Sequence, residues 1–253
     1  MCPVEKVFIG IPVLNRVDLL QRALESIDIP AYIYIVNNNS VDSEFQEKLA
    51  ILKEAHGLDV YSAKYNLGVA ASWNRIIMYA MGLGYDKLII SSNDTILNPG
   101  ALAALADVDT SDPKSVIWHL HAWNCYMIHV RAIPLVGWFD ENFYPAYRED
   151  QDYSYRCDAL AKVLRHNPIE GGAEHLGSQT VGSDAEYASH NKNTHGNWNT
   201  AHYQMKWGGM PGGEVFTMPY DGKSDGGRDH RWWPDPGGSV AHRDWDNGRE
   251  RVR

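Results

Sequence analysis

Short apolar runs alternate with helical periodicities through the first hundred residues. KVFIGIPVL (6–14) and YIYIVNN (32–38) are rich in β-branched and aromatic residues, and each precedes a helical pattern, which is how βαβ units read in sequence. Segment 18–29 places Leu19, Leu20, Ala23, Leu24 and Ile27 on one helical face, and Phe45, Leu49 and Leu52 mark a second helix that Gly57 can close. A short strand follows near LDVYSAK (58–64). A helix is then expected from about Val69 to Met81, with Val69, Trp73, Ile76, Ile77 and Ala80 facing inward. YDKLIISSND (85–94) reads as a strand buried on both faces, as in the middle of a parallel sheet.

In open sheets of this kind, ligands bind beyond the carboxyl ends of the strands, where the strand order reverses. The polar clusters fall at those ends: PVLNR (12–16), NNNS (37–40), YNLG (65–68) and SSNDT (91–95). Asn, Ser, Gly and Pro also simply make turns. Four amide-rich ends aimed at one crevice nevertheless point to a site. The second half reads as one or two strands in SVIWHLHAWNCYMIHVRAI (115–133), an aromatic loop over 136–150 and a helix over 149–165 with Tyr153, Cys157, Leu160, Ala161 and Leu164 inside. From about Gly222 the apolar periodicity fades and an irregular extension is expected.

Composition narrows the class. A chain of 253 residues, 44% hydrophobic, holds one large core or a core with a small appendage. A net charge of −9 argues against coating nucleic acid or an anionic membrane by overall charge. Cys2, Cys125 and Cys157 are odd in number and lack metal-finger spacing, so they are read as free thiols in a reducing compartment. The amino terminus has no leader-like pattern and no apolar run reaches membrane-spanning length. The expectation is a cytoplasmic protein without membrane insertion.

IPVLNR (11–16), IVNNNSVD (35–42), NLGVAASWN (66–74), SSNDTILNPGAL (91–102), GWFDENFYPAYREDQDYSYR (137–156) and EHLGS (174–178) occur in the order and approximate spacing of nucleotide-sugar glycosyltransferases of the GT-A fold. The chain most resembles family 2 over roughly residues 6–180, and its 201–220 segment is similar to the carboxyl-terminal part of small soluble bacteriophage enzymes. The resemblance implies an α/β fold: a Rossmann-like, three-layer α/β/α domain with a mostly parallel central sheet and an irregular C-terminal extension. The expected division is a domain over 1–221, with a nucleotide-binding half (about 1–98) and an acceptor half (about 99–221), then an Arg/Trp-rich tail over 222–253.

Transfer from a nucleotide diphosphate sugar requires the leaving diphosphate to be neutralised, most directly by a divalent cation. Magnesium and manganese take oxygen ligands, and manganese also accepts imidazole. Members of the resembled family carry an Asp-x-Asp motif at a strand end. Ser92-Asn93-Asp94 stands there, without the first acid. The resemblance makes Asp94 the carboxylate ligand and His175, in EHLGS, a nitrogen ligand. A turn-initiating acid and a hydrogen-bonded strand-end histidine are the structural alternatives.

An acceptor hydroxyl also needs a base. REDQD (148–152) sets Glu149, Asp150 and Asp152 at a helix start, where exposed N–H groups favour carboxylates. Three acids exceed what capping needs, although one can be structural. By position in the resembled motif Asp150 is the base, with Glu149 and Asp152 in support, and direct displacement would invert the anomeric centre. The resemblance and the strand ends together assign Pro12, Asn15, Arg16, Asn37, Asn38, Asn66, Asn74 and Asn93 to the nucleotide and its phosphates. An amide at position 37 leaves a UDP-sugar and a GDP-sugar both open. Lys206 has two readings, a diphosphate contact on a closing loop and a solvated lysine beside a packed Trp207.

Trp138, Tyr144 and Tyr147 fall on the acceptor side, where aromatic faces serve sugars and bases alike. Arginines 228, 231, 243, 249, 251 and 253 interleave with tryptophans in the tail, which suits hydroxymethylated pyrimidines in phage DNA as acceptor. The aspartates at 225, 229, 235, 244 and 246 could instead pair with them, leaving a polysaccharide, a lipid-linked glycan or a virion protein as acceptor. A nucleotidyltransferase and an inactive sugar- or nucleotide-binding module are the readings from other classes.

Overall fold

The structure is a computed structural model and describes residues 7–166, 169, 172–177, 189 and 194–221. Strands β1 (Val7–Val13), β2 (Ala31–Asn37), β3 (Asp59–Ser62) and β4 (Lys87–Ser91) alternate with helices α1 (Val17–Glu25), α2 (Ser43–His56) and α3 (Val69–Gly82). Then come β5 (Thr95–Leu97), α4 (Ala101–Ala106), β6 (Ser115–His121), β7 (Cys125–His129) and α5 (Ala132–Val136). Helix α6 (Glu149–Tyr155) continues into a π-helical turn (Arg156–Ala161), followed by β8 (Leu164–His166) and β9 (Ala173–His175). A second π-helical turn (Thr194–Asn199) leads into α7 (Thr200–Trp207).

The central sheet runs β3-β2-β1-β4-β7-β6-β8. The four strands β3, β2, β1 and β4 are mutually parallel, β7 is antiparallel to both neighbours, and β8 is parallel to β6. Alternating side chains divide the core. Ile9, Ile11, Ile33, Ile35 and Ile89 pack with α1, α2 and α4 on one face, whereas Phe8, Val36, Leu88 and Ile90 pack with α3, α5 and α6 on the other. This is the expected three-layer α/β/α arrangement with a mostly parallel sheet.

Local signals account for most boundaries. Asp42 caps α2 by accepting from the Phe45 N–H at 3.0 Å, and Gly57 closes the helix in the left-handed conformation. Helix α1 ends at Glu25, earlier than the apolar period predicts, because Ser26 turns the chain and its hydroxyl donates back to the Ala23 carbonyl. Ile27 still packs against the core beyond the helix. The helix expected over 149–165 also stops short. Lys162 takes a left-handed conformation, and Leu164 opens β8 with 44% exposure instead of facing inward.

Cys125 and Cys157 are free and buried, and burial pushes both thiols up to about 12. Cys2 and the 222–253 tail lie outside the described residues. Among the described residues no helix is long and apolar enough to cross a membrane.

Gly10 lets β1 and α3 approach closely. A Cβ built there would stand 2.1 Å from Ile76 Cγ2, an overlap of the kind that costs about 1–3 kcal/mol in a packed core. Gly10→Ala is therefore expected to lower the thermal midpoint by several degrees, and adding Ile76→Ala should recover part of that loss in the same melting experiment.

Candidate active site

A cleft of about 260 Å³ opens at the carboxyl edge of the parallel strands. It lies where β1 and β4 meet, the point at which strand order reverses. Pro12 and Val13 enter from the end of β1, Asn38 from the end of β2, and Asn66 and Gly68 from the loop before α3. Ser92, Asn93 and Asp94 enter from the end of β4, while Tyr147, Glu149, Asp150 and His175 complete the lining.

The Asp94–His175 pair is created by backbone pairing. β5 and β9 run antiparallel with Thr95 opposite His175, and the Leu176 N–H donates to the Asp94 carbonyl at 3.0 Å. His175 Nε2 thereby lies 3.1 Å from Asp94 Oδ1, an oxygen that also accepts from the Ser92 hydroxyl at 2.8 Å. Asp94 is only 5% exposed. Among the described residues no group of three or more His, Cys, Asp or Glu is arranged to hold a metal. One carboxylate and one imidazole on a cleft wall nevertheless suit a hard cation that takes its remaining ligands from water and substrate phosphates.

Three acids begin α6, and they have three environments. Asp150 lines the cleft and its Oδ1 accepts from the Gln151 N–H at 2.8 Å. Glu149 also lines the cleft, is 5% exposed, and has an Oε2 atom without a partner among the described residues. Its burial, with the charge of Asp150 adding to it, raises its carboxyl well above the usual range. Asp152 is 0% exposed and turns away. It accepts from Trp207 Nε1 at 2.9 Å, lies 2.6 Å from Lys206 Nζ and pairs with Arg156 at 2.7 Å. Asp152 is thus a structural anchor for α7, not a wall of the cleft.

The loop before α6 is held under strain. Tyr147 and Arg148 are consecutive non-glycine residues with φ of 76° and 79°, a conformation that costs about 1–3 kcal/mol for each such residue. Asn199 Nδ2 secures the turn by donating to the carbonyls of Ala146 and Tyr147 at 2.7 and 2.9 Å. From the other side Val69 N–H donates to the Pro145 carbonyl at 2.8 Å. Gly68, at φ 79°, leaves room for that contact, since a Cβ there would stand 2.9 Å from the same carbonyl oxygen.

Of the residues assigned to the nucleotide by sequence, Pro12, Asn38, Asn66 and Asn93 line the cleft, whereas Asn15, Arg16, Asn37, Asn74 and Lys206 do not. Asn37 accepts from Ser40 N–H and donates to Ser62 within the strand-end turns. Asn74 clasps the backbone of Phe139 in both directions, tying α3 to the aromatic loop. Asn15 is a left-handed turn residue and Arg16 pairs with Asp18 at 2.7 Å. Lys206 is buried between Asp140 and Asp152, at 2.7 and 2.6 Å. Tyr147 lines the cleft; Trp138 is 41% exposed outside it, and Tyr144 packs beside Gly68. Trp73, Trp123 and Asn124 are cleft residues that the sequence reading did not assign to the site. Trp73 was legible only as a core position of α3, and nothing in the β6–β7 turn separated Trp123 from ordinary packing.

No protein-family model matches the chain. A galactofuranosyl glycosyltransferase from Leishmania donovani is 66% identical over 29 residues, 12% of this chain and 7% of that protein. A mannosyltransferase from Pyrobaculum calidifontis, solved with GDP-Man and Mn2+, superposes with a TM-score of 0.57 at 14% identity over 70% of this chain and 59% of its own. GalNAc-T7, solved with UDP, GalNAc and Mn2+, gives 0.54 at 12% identity over 81% and 51%. The chain spans less than two thirds of each of these proteins. The fold is GT-A, the architecture of these nucleotide-sugar transferases.

The Lys206 pairing has a measurable consequence. Burial pushes the Asp140 carboxyl up, but hydrogen bonds from His202 and Lys206 and the Lys206 charge more than offset it, holding the group well below the usual carboxylate range. A depressed acid contributes stability above its unfolded pKa and loses it as pH falls. Lys206→Met is expected to cost about 3–5 kcal/mol in urea denaturation at neutral pH, since it strands buried carboxylates. The difference from wild type should shrink below about pH 4, as carboxylates protonate in the unfolded chain. A variant that instead raised the Michaelis constant for donor at unaltered stability would restore the diphosphate role to Lys206.

Proposed function

We propose that the chain is a glycosyltransferase that moves a sugar from a UDP- or GDP-sugar to an acceptor hydroxyl with inversion of the anomeric centre. The observation that carries this reading is the convergence of Asp150 with Asp94 and His175 on one cleft at the sheet's switch point. The GT-A fold supports it. The mannosyltransferase holds GDP-Man and GalNAc-T7 holds UDP and GalNAc, and these ligands of the two similar structures supply the donor class by analogy.

In this reading Pro12, Asn38, Asn66 and Asn93 hold the nucleotide. Asp94 and His175 would hold a divalent cation, manganese or magnesium, which neutralises the leaving diphosphate when bound. Asp150 takes the proton of the acceptor hydroxyl while its oxygen bonds to the anomeric carbon. The bond from that carbon to the diphosphate oxygen breaks as the new one forms, nucleoside diphosphate departs, and the proton remains on the Asp150 carboxyl. Tyr147 lies beside the acceptor. Asp152 supports this machinery from below through α7.

The proposed division places the catalytic domain over 1–221 and the tail over 222–253, and the cellular setting proposed is the cytoplasm. For the acceptor, the proposal is a hydroxymethylated pyrimidine in phage DNA. That part rests on the arginines and tryptophans of the tail and on the phage-like 201–220 segment, both read from sequence.

Nucleoside diphosphate release across UDP- and GDP-sugars, with and without manganese, tests the donor chemistry. Asp150→Asn is expected to lose at least about 10²-fold in transfer, as removal of a general base does. Asp94→Asn should weaken manganese dependence of donor binding in titration calorimetry. Anomer-resolved NMR of the product should show inversion, and a retained product removes Asp150 from the base role. Stimulation by hydroxymethylcytosine DNA supports the DNA acceptor, whereas stimulation only by a glycan or protein fraction moves the reaction to that acceptor. No release with any donor leaves a binding module.

A further inference from the structure

The cleft wall holds one carboxyl oxygen that no hydrogen bond among the described residues uses. Glu149 sits one residue before Asp150, lines the same cleft, and is 5% exposed. Its Oε2 atom is buried and has no hydrogen-bond partner among the described residues. Orphaned buried carboxyl oxygens are costly, so a side chain kept in that state on a ligand-sized cleft points to a partner supplied by the ligand.

We propose that Glu149 is the residue that recognises the transferred sugar, through a hydrogen bond to one hydroxyl of its ring. This rests on the glycosyltransferase reading above and adds to it the group that selects among donors. The terminal torsion of glutamate is broad and roughly two-fold, so the carboxyl of this cleft-lining residue can turn to present either oxygen to a ligand. Trp73 and Trp123 stand in the same wall, with ring centroids 6.2 Å apart and planes inclined by 24°. Aromatic surfaces of this kind suit the apolar faces of sugar rings. Beneath them the hydroxyl of Tyr126 is a second buried polar atom without a partner among the described residues, with its ring 5.5 Å from Trp73 and 4.9 Å from Trp123.

The role differs from that of Asp150 in its chemistry. Burial, with the neighbouring Asp150 charge adding to it, raises the Glu149 carboxyl well above the usual range and so favours its neutral acid form. A neutral carboxylic acid both donates and accepts a hydrogen bond, and it does not compete with Asp150 for the acceptor proton. A site built around a hydrogen bond to a substrate hydroxyl rejects analogues that lack it far more strongly than a hydrophobic pocket rejects a missing methylene. Glu149 therefore discriminates by the presence and orientation of a single hydroxyl.

The test uses the full chain with UDP-glucose, UDP-galactose, GDP-mannose and their monodeoxy analogues, reading kcat/KM for nucleoside diphosphate release. For the donor that wild type prefers, one monodeoxy analogue should fall by about 10²-fold or more. In Glu149→Ala that analogue and the parent donor should become nearly equal, with the parent reduced about 10–100-fold. Glu149→Gln should restore most of the discrimination, because an amide also donates and accepts. Glu149→Gln as inactive as Glu149→Ala would overturn the proposal, since that pattern belongs to an ionised base. Undiminished hydroxyl discrimination in Glu149→Ala would overturn it as well. Wild type inactive with every donor would instead remove the glycosyltransferase reading, so the two failures are distinct. Thermal melts of both variants separate a folding defect from these outcomes, and the deoxy-donor profile of wild type tests the single-hydroxyl requirement without any variant.

Discussion

A carboxylate with no exposure, Asp152, holds the second half of the described chain together. Arg156 on its own helix and Lys206 and Trp207 on α7 all converge on its two oxygens. A buried charge is tolerable only when paired and hydrogen-bonded, so α7 has to dock where it does. That docking carries Asn199, at the amino-terminal border of α7, to the carbonyls of Ala146 and Tyr147. The strained turn that presents Glu149 and Asp150 to the cleft is thus stabilised from fifty residues further along the chain. Lys206 also reaches Asp140 in the loop before that turn, so one ionic network fixes both ends of the acid-bearing segment.

The first half of the chain was the more legible in sequence, for a physical reason. Parallel strands such as Ile9–Ile11 and Leu88–Ile90 are buried on both faces and read as continuous apolar runs, while α3 shows its packing face by period alone. Asp94 and His175 were legible as a pair only through family resemblance. What joins them is the three-residue pairing of β5 with β9, too short to leave a period. Lys206 and Asp152 were misplaced for a related reason. Charge patterning says nothing about which carboxylate and which ammonium meet across fifty residues in a dry interface. Helix α7 was missed because its buried residues, Tyr203, Lys206 and Trp207, include a lysine where an apolar period needs a hydrophobe.

The amides show why composition at strand ends overstates a site. Asn37 and Asn74 belong to the same polar clusters as Asn38 and Asn66, but their donors and acceptors are consumed by backbone and hydroxyl partners within the fold. Even Asn38 and Asn66, which do line the cleft, have made bonds to Ser72 and to the Gly68 N–H. The amino-terminal wall is therefore already organised by hydrogen bonds and offers a ligand chiefly a rigid shape. The opposite wall carries ionisable groups, and there the polar atoms are less completely matched. A wall whose amides are largely engaged within the fold thus faces a wall with an orphaned acid, and on the proposed reading the first supplies shape while the second supplies proton transfer and hydroxyl recognition.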